Sequence, residues 1–127
     1  MNEKGKSYKK EDGFIHKTID VIDMDYENII QYFGECLNFI KGNEKTLVHY
    51  GAGVSRSATI VIAYIMWTKK MKYEEAFRFV KKKRNNVHPN SGFIEQLKIF
   101  ENILIENDYD IDKIDFKFFL PTNISFY

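Results

Sequence analysis

The chain has 127 residues, 44% of them hydrophobic and 29% charged, with a formal net charge of +1. That describes one domain with an adequate core, and it excludes charge-driven binding to nucleic acid or membrane over the whole chain. No apolar run approaches the ~18 residues of a membrane span and residues 1–10 are polar rather than signal-like, so a cytoplasmic or nuclear protein is expected. Residues 1–13 are Lys-rich and read as a mobile polar arm. Residues 14–22 carry Ile15, Ile19, Val21 and Ile22 and read as a strand. Residues 25–41 place Ile29, Tyr32, Phe33, Cys36, Leu37 and Ile40 at helical spacing, with Asp25 as a candidate cap. Residues 46–49 form the next apolar run. Strand, helix, strand, then loop and helix predicts parallel strands joined by a right-handed crossover.

Residues 57–70 are apolar nearly all round (Ile60, Val61, Ile62, Ala63, Ile65, Met66), which predicts a central buried helix. Trp67 near its end reads as core or partly covered surface. Residues 73–84 carry Ala76, Phe77 and Val80. Pro89 precedes a helix over 92–107 with a stripe of Phe93, Leu97, Phe100, Ile103 and Leu104. The tail, 108–127, alternates acids with apolar residues before an aromatic run and is expected to pack on the domain. The expected fold is α/β, a small and mainly parallel sheet flanked by helices, with the domain over 14–107.

Several residues have plain explanations. Cys36 is the single cysteine, which excludes an internal disulfide and a multi-cysteine metal site; on a helix beside Leu37 it reads as a small buried hydrophobe. His16 and His88 are too scattered for a metal site, and neither metal nor cofactor is expected. The basic run Lys81, Lys82, Lys83, Arg84 suits a solvated helix end, with a patch for acidic or phosphorylated partners as the functional alternative. Asn123-Ile124-Ser125 matches a glycosylation sequon that has no use without secretion.

The segment His49-Tyr50-Gly51-Ala52-Gly53-Val54-Ser55-Arg56-Ser57 carries the chemistry. A small-residue loop between a strand and a helix N-terminus points backbone N–H groups inward, and the helix dipole favours an anion there. Arg56 adds a fork suited to phosphate. A nucleotide loop would need Gly-Lys-[Ser/Thr] where Val54-Ser55-Arg56 stands. A dinucleotide fingerprint starting at Gly51 and Gly53, with Glu74 downstream, would need a glycine where Arg56 stands.

His49, then position 50 and five residues to Arg56 and Ser57, resembles the H-C-x5-R-[S/T] phosphate loop of the cysteine-dependent protein phosphatases. Ser57-Ala58-Thr59, residues 61–66, residues 71–77, and Pro89-Asn90-Ser91-Gly92-Phe93 with Gln96-Leu97 resemble the dual-specificity branch in order and spacing. The match covers about residues 15–105. Position 50 departs from the pattern, which makes the chain similar to the inactive, phosphoprotein-interacting (STYX-like) members of that family.

The resemblance implies a phosphate site built from Gly51, Ala52, Gly53, Val54, Ser55 and Arg56. It implies a general acid on the loop before the first matched helix, and Asp23, ten residues before Phe33, stands in that position; Asp20 and Asp25 are nearby alternatives. His49 would orient the loop. Ser57 would assist the leaving thiolate, or here cap the helix or bond the Tyr50 hydroxyl. A thiolate nucleophile works because the N–H nest, helix end and Arg lower its pKa. A phenol titrates near pH ~10 and is longer and rigid. The expected function is therefore an inactive phosphatase-like domain that binds phosphorylated proteins or peptides in signalling. The alternatives are an active protein phosphatase, if position 50 is Cys in the natural gene or Tyr50 is bypassed, and a structural interaction domain whose pocket is plugged. The family usually has two or more strands and a helix ahead of the segment matching 14–22. Either a fragment or an unusually small sheet is then expected, with the C-terminal aromatic tail covering an exposed strand edge.

Overall fold

The computed structural model describes residues 8–11, 14–17, 21–42 and 54–116. Two strands, β1 (Tyr8–Glu11) and β2 (Phe14–Lys17), pair antiparallel with Glu11 opposite Phe14. Four helices follow: α1 (Phe33–Lys41), α2 (Val54–Lys69), α3 (Tyr73–Lys83) and α4 (Ser91–Glu106). Short 3₁₀ turns stand at Ile30–Tyr32 and Ile111–Lys113.

The hairpin corrects the reading of residues 1–13 as an arm throughout. Backbone pairing does not require an apolar face, so Tyr-Lys-Lys-Glu can make a strand that its side chains do not announce. The signal in the sequence is the Asp12-Gly13 dipeptide between the two strands, a favoured hairpin connection. Of the strand expected over 14–22, Phe14–Lys17 is regular strand and Val21 and Ile22 are in irregular backbone. The expected strand at 46–49, and with it the parallel pairing, lies outside the described residues.

The helix expected from Asp25 begins eight residues later at Phe33, preceded by the 3₁₀ turn. Asp25 therefore does not cap it; the N-cap position is Tyr32, which makes no side-chain cap bond. The apolar spacing does mark a buried face, with Ile29, Phe33, Cys36 and Leu37 all buried, but burial alone does not distinguish an irregular approach from a helical one.

α2 packs against α1, α3 and α4, as its all-round apolar pattern predicts. Ile60, Ile62, Ala63 and Met66 are within 1% of full burial. Phe33 and Phe100 meet edge to face at 4.9 Å in the same core. α3 is tied at its start by two carboxylates: Glu75 accepts from the Lys72 N–H at 3.2 Å, and Glu101 of α4 accepts from the Tyr73 N–H at 2.8 Å. Acids at a helix N-terminus satisfy its orphan donors and suit its dipole.

After α4, Asp108 and Tyr109 both take positive φ (55° and 61°) and reverse the chain. The Tyr109 carbonyl then accepts from Trp67 Nε1 at 2.9 Å, and Lys41 lies 5.2 Å from the Trp67 ring. Ile111, Ile114 and Phe116 are buried. Phe116 lies 6.0 Å from the Phe100 ring and so close to Gly34 that a Cβ there would stand 2.6 Å from its Cδ2. Coverage of a strand edge by the later aromatic residues lies outside the described residues.

Candidate functional site

The first turn of α2 contains Val54, Ser55, Arg56 and Ser57, so the helix expected from Ser57 is already formed at Val54 and Ser57 is inside it rather than at its cap. His49, Tyr50, Gly51, Ala52 and Gly53 themselves lie outside the described residues. Ser55 is buried and Arg56 and Ser57 are half-buried. Thr59 Oγ1 donates to the Ser55 carbonyl at 2.6 Å, one turn back along the helix.

Asp23 reaches this corner through Asn90. Asn90 Nδ2 donates to Asp23 Oδ1 at 2.9 Å, while the Asn90 backbone N–H donates to Ser55 Oγ at 2.7 Å. The Asn90 side-chain oxygen accepts from the Phe93 N–H at 2.8 Å, which makes Asn90 the N-cap of α4. One residue thus begins α4, holds a Ser of the loop's helix and holds the carboxylate in the acid position. Arg56 closes the ring: its Nη1 donates to the Val21 carbonyl, two residues before Asp23, at 2.9 Å.

Two further α4 residues shape the Asp23 loop. Gln96 is 6% exposed; its Oε1 accepts from the Ile30 N–H at 2.9 Å and its Nε2 donates to the Glu27 carbonyl at 2.8 Å. Gly92 lets the loop backbone approach, because a Cβ there would stand within bonding range of the Asp25 carbonyl oxygen, at 1.8 Å. Asn90, Gly92 and Gln96 stand among the residues that carry the dual-specificity resemblance. Asn ahead of an apolar helical run is the one local signal present, and it names a cap rather than a partner 67 residues away.

Asp20 lies outside the described residues and Asp25 is exposed, with no side-chain bond to the corner among the described residues. Of the two candidate acids among the described residues, Asp23 is the one whose carboxylate is bonded into the corner. Ile22, Met24 and Tyr26 flank it and are 43%, 46% and 52% exposed. The acid position is therefore rimmed by apolar side chains. The corner supplies a carboxylate, a guanidinium and a helix N-terminus next to each other, the set that phosphate-ester chemistry or phosphate binding draws on. It lacks any described thiol, since Cys36 sits 3% exposed in α1.

The profile of the dual specificity phosphatase catalytic domain matches residues 1–103. The human serine/threonine/tyrosine-interacting protein is 45% identical over 96 residues, covering 72% of this chain and 43% of the relative. The MAP kinase phosphatase with leucine-rich repeats protein 1 of Dictyostelium discoideum is 49% identical over 96 residues, covering 73% of this chain and 12% of the relative. The chain thus spans less than half the length of these relatives. The crystal structure of the human tyrosine phosphatase-like serine/threonine/tyrosine-interacting protein superposes with a TM-score of 0.67 at 46% identity, over 69% of this chain and 61% of that one. The chain belongs to the dual specificity phosphatase family.

Proposed function

We propose that the chain is a phosphatase fold without turnover that binds phosphorylated segments of partner proteins. One observation carries the reading. Tyr50 stands where the family's loop has its nucleophilic cysteine, while Asp23, Ser55, Arg56 and Asn90, the last two reaching the Val21–Asp23 segment, are held in one corner by hydrogen bonds. A phenol at neutral pH is a poor nucleophile, but the anion-favouring helix end and Arg56 do not depend on position 50. Support also comes from the human relative, whose name describes interaction with serine, threonine and tyrosine. The exposed Ile22, Met24 and Tyr26 give a protein segment apolar ground beside the acid position.

The identity with a MAP kinase phosphatase favours a second reading, an active phosphatase. One pair of assays separates the two. The chain should not hydrolyse an aryl phosphate above background, and Tyr50→Cys should restore turnover, because loss of one essential nucleophile removes most catalysis even where its partners remain. In thermal shift, tungstate should stabilise both the native chain and Tyr50→Gly, the latter more, since the ring competes for the anion's volume. Turnover by the native chain at rates typical of cysteine phosphatases would establish the second reading. No tungstate shift in either protein would leave neither catalysis nor phosphate binding to this loop.

A further inference from the structure

Next to Ser57, on the side of α2 that faces α3, lies a cavity of about 60 Å³. Its floor is Ala58, Val61, Val80 and Val87, and its rim is Ser57, Arg84 and Asn86. Ala58, Val80 and Val87 are buried and Val61 half-buried, while Arg84 and Asn86 are exposed. The volume is roughly four times what a single water needs, and an apolar floor gives water no partners. An aliphatic side chain satisfies such a space better than solvent does.

The charges at the end of α3 beside the cavity have one sign. Lys81, Lys82, Lys83 and Arg84 close α3. A helix C-terminus carries about half a negative charge, so the helix end accounts for only a fraction of four cations. Lys81 is occupied with the Asn85 carbonyl at 3.2 Å, and Lys83 lies 5.5 Å from the Phe79 ring. All four are exposed, and Lys82 and Arg84 are the two without such a contact among the described residues. Neither helix beside the cavity supplies an acid at this end: α2 has no Asp or Glu along its length, and the acids of α3, Glu74 and Glu75, are in its first turn at the far end. Residues 85–88, which supply Asn86 and Val87 to the cavity, are Asn, Asn, Val and His.

We propose that this cavity is a docking pocket for an acidic segment of a partner protein. The segment seats a branched aliphatic side chain on Ala58, Val61, Val80 and Val87, and its flanking carboxylates meet Arg84 and Lys82. This docking does not rest on phosphate recognition at the loop, and it holds whether or not the Tyr50 ring admits an anion.

The test is a methyl NMR titration of the full chain with two synthetic peptides. The first is Glu-Asp-Glu-Leu-Asp-Glu-Asp; the second has Ser in place of Leu. The Leu peptide should move the Val61, Val80 and Val87 methyl signals and bind at least roughly tenfold more tightly, the effect of burying one aliphatic side chain. Arg84→Glu, at an exposed position, should weaken it by a further factor of about ten, and Arg84→Lys should retain most of the affinity. Val61→Phe should fill the cavity and abolish the preference for Leu over Ser. Equal affinity for the two peptides overturns the proposal, as does indifference to Arg84→Glu. So does displacement of the Leu peptide by tungstate with the three Val methyls unmoved, which would assign the peptide to the phosphate loop.

Discussion

In the core, Phe33, Phe93, Phe100, Leu97 and Met66 are fully buried and share their contacts among many neighbours. At the Asp23 corner, few side chains hold the backbone, and each does so by one or two hydrogen bonds to a segment far away in sequence: Arg56 to Val21, Asn90 to Asp23 and Ser55, Gln96 to Glu27 and Ile30. Apolar packing is non-directional and redundant, so it fixes where the helices lie. Hydrogen bonds fix where single atoms lie, and their loss is not shared. The same helix, α4, serves both regions, with Phe100 facing the core and Asn90, Gly92 and Gln96 facing the loop.

If the two regions differ in this way, damage to the first should be global and damage to the second local. Phe100→Ala should lower the stability of the whole domain by about 3–5 kcal/mol, measured by denaturant unfolding, with exchange of amides in 21–30 rising only in step with global opening. A loss near zero would mean that the aromatic cluster is not the core's centre. Gln96→Leu keeps the volume but deprives the buried Ile30 N–H of its acceptor, at about 1–3 kcal/mol for such a group, and leaves the Glu27 carbonyl with the Ile29 N–H. Amides of 21–30 should then exchange faster than those of α2. Uniform exchange across both segments would erase the distinction between the regions. Asn90→Ala removes a helix cap worth about 1 kcal/mol and should broaden the Asp23 signals more than those of any core methyl; an unchanged Asp23 environment would show that Asn90 does not position it.

The smallest effect is in the alkaline range. Burial, and then the charge of Glu74, raise the Tyr73 phenol above its ordinary 10.0. The folded state therefore favours the neutral phenol. Its contribution is complete below pH 10.0 and is lost as pH rises through the raised value. Tyr73→Phe should flatten that alkaline decline slightly, and an identical pH profile would exclude Tyr73 as its source.

What the sequence makes legible follows from the same physics. The helices α1, α3 and α4 are legible because Phe33, Val80 and Phe100 belong to stripes of period 3.6, and α2 because it is apolar nearly all round; both patterns record burial. β1 is not, because its four residues pair through backbone and carry no apolar alternation. The start of α1 was misplaced because Ile29 and Ile30 are buried without being in the α-helix. At the site, Asp23 and Arg56 were found through a motif, but the bonds that join them were not. Asn90 and Gln96 act on partners 35 to 69 residues away, and no local pattern encodes which carbonyl a side chain will meet. The identity of Gly92 records a backbone approach from Asp25 that only the fold reveals.

Trp67 is the chain's single tryptophan, and its indole N–H ends on the carbonyl of Tyr109, just past the reversal that follows α4. Ultraviolet emission excited at the red edge, where tyrosines are dark, therefore originates from this one joint. Detachment of the segment after α4 removes the acceptor and wets the ring, so colour and quenching of that emission follow the segment's attachment separately from the rest of the molecule. The protein carries its own optical gauge at the seam between α2 and its C-terminal stretch, with no label to be added.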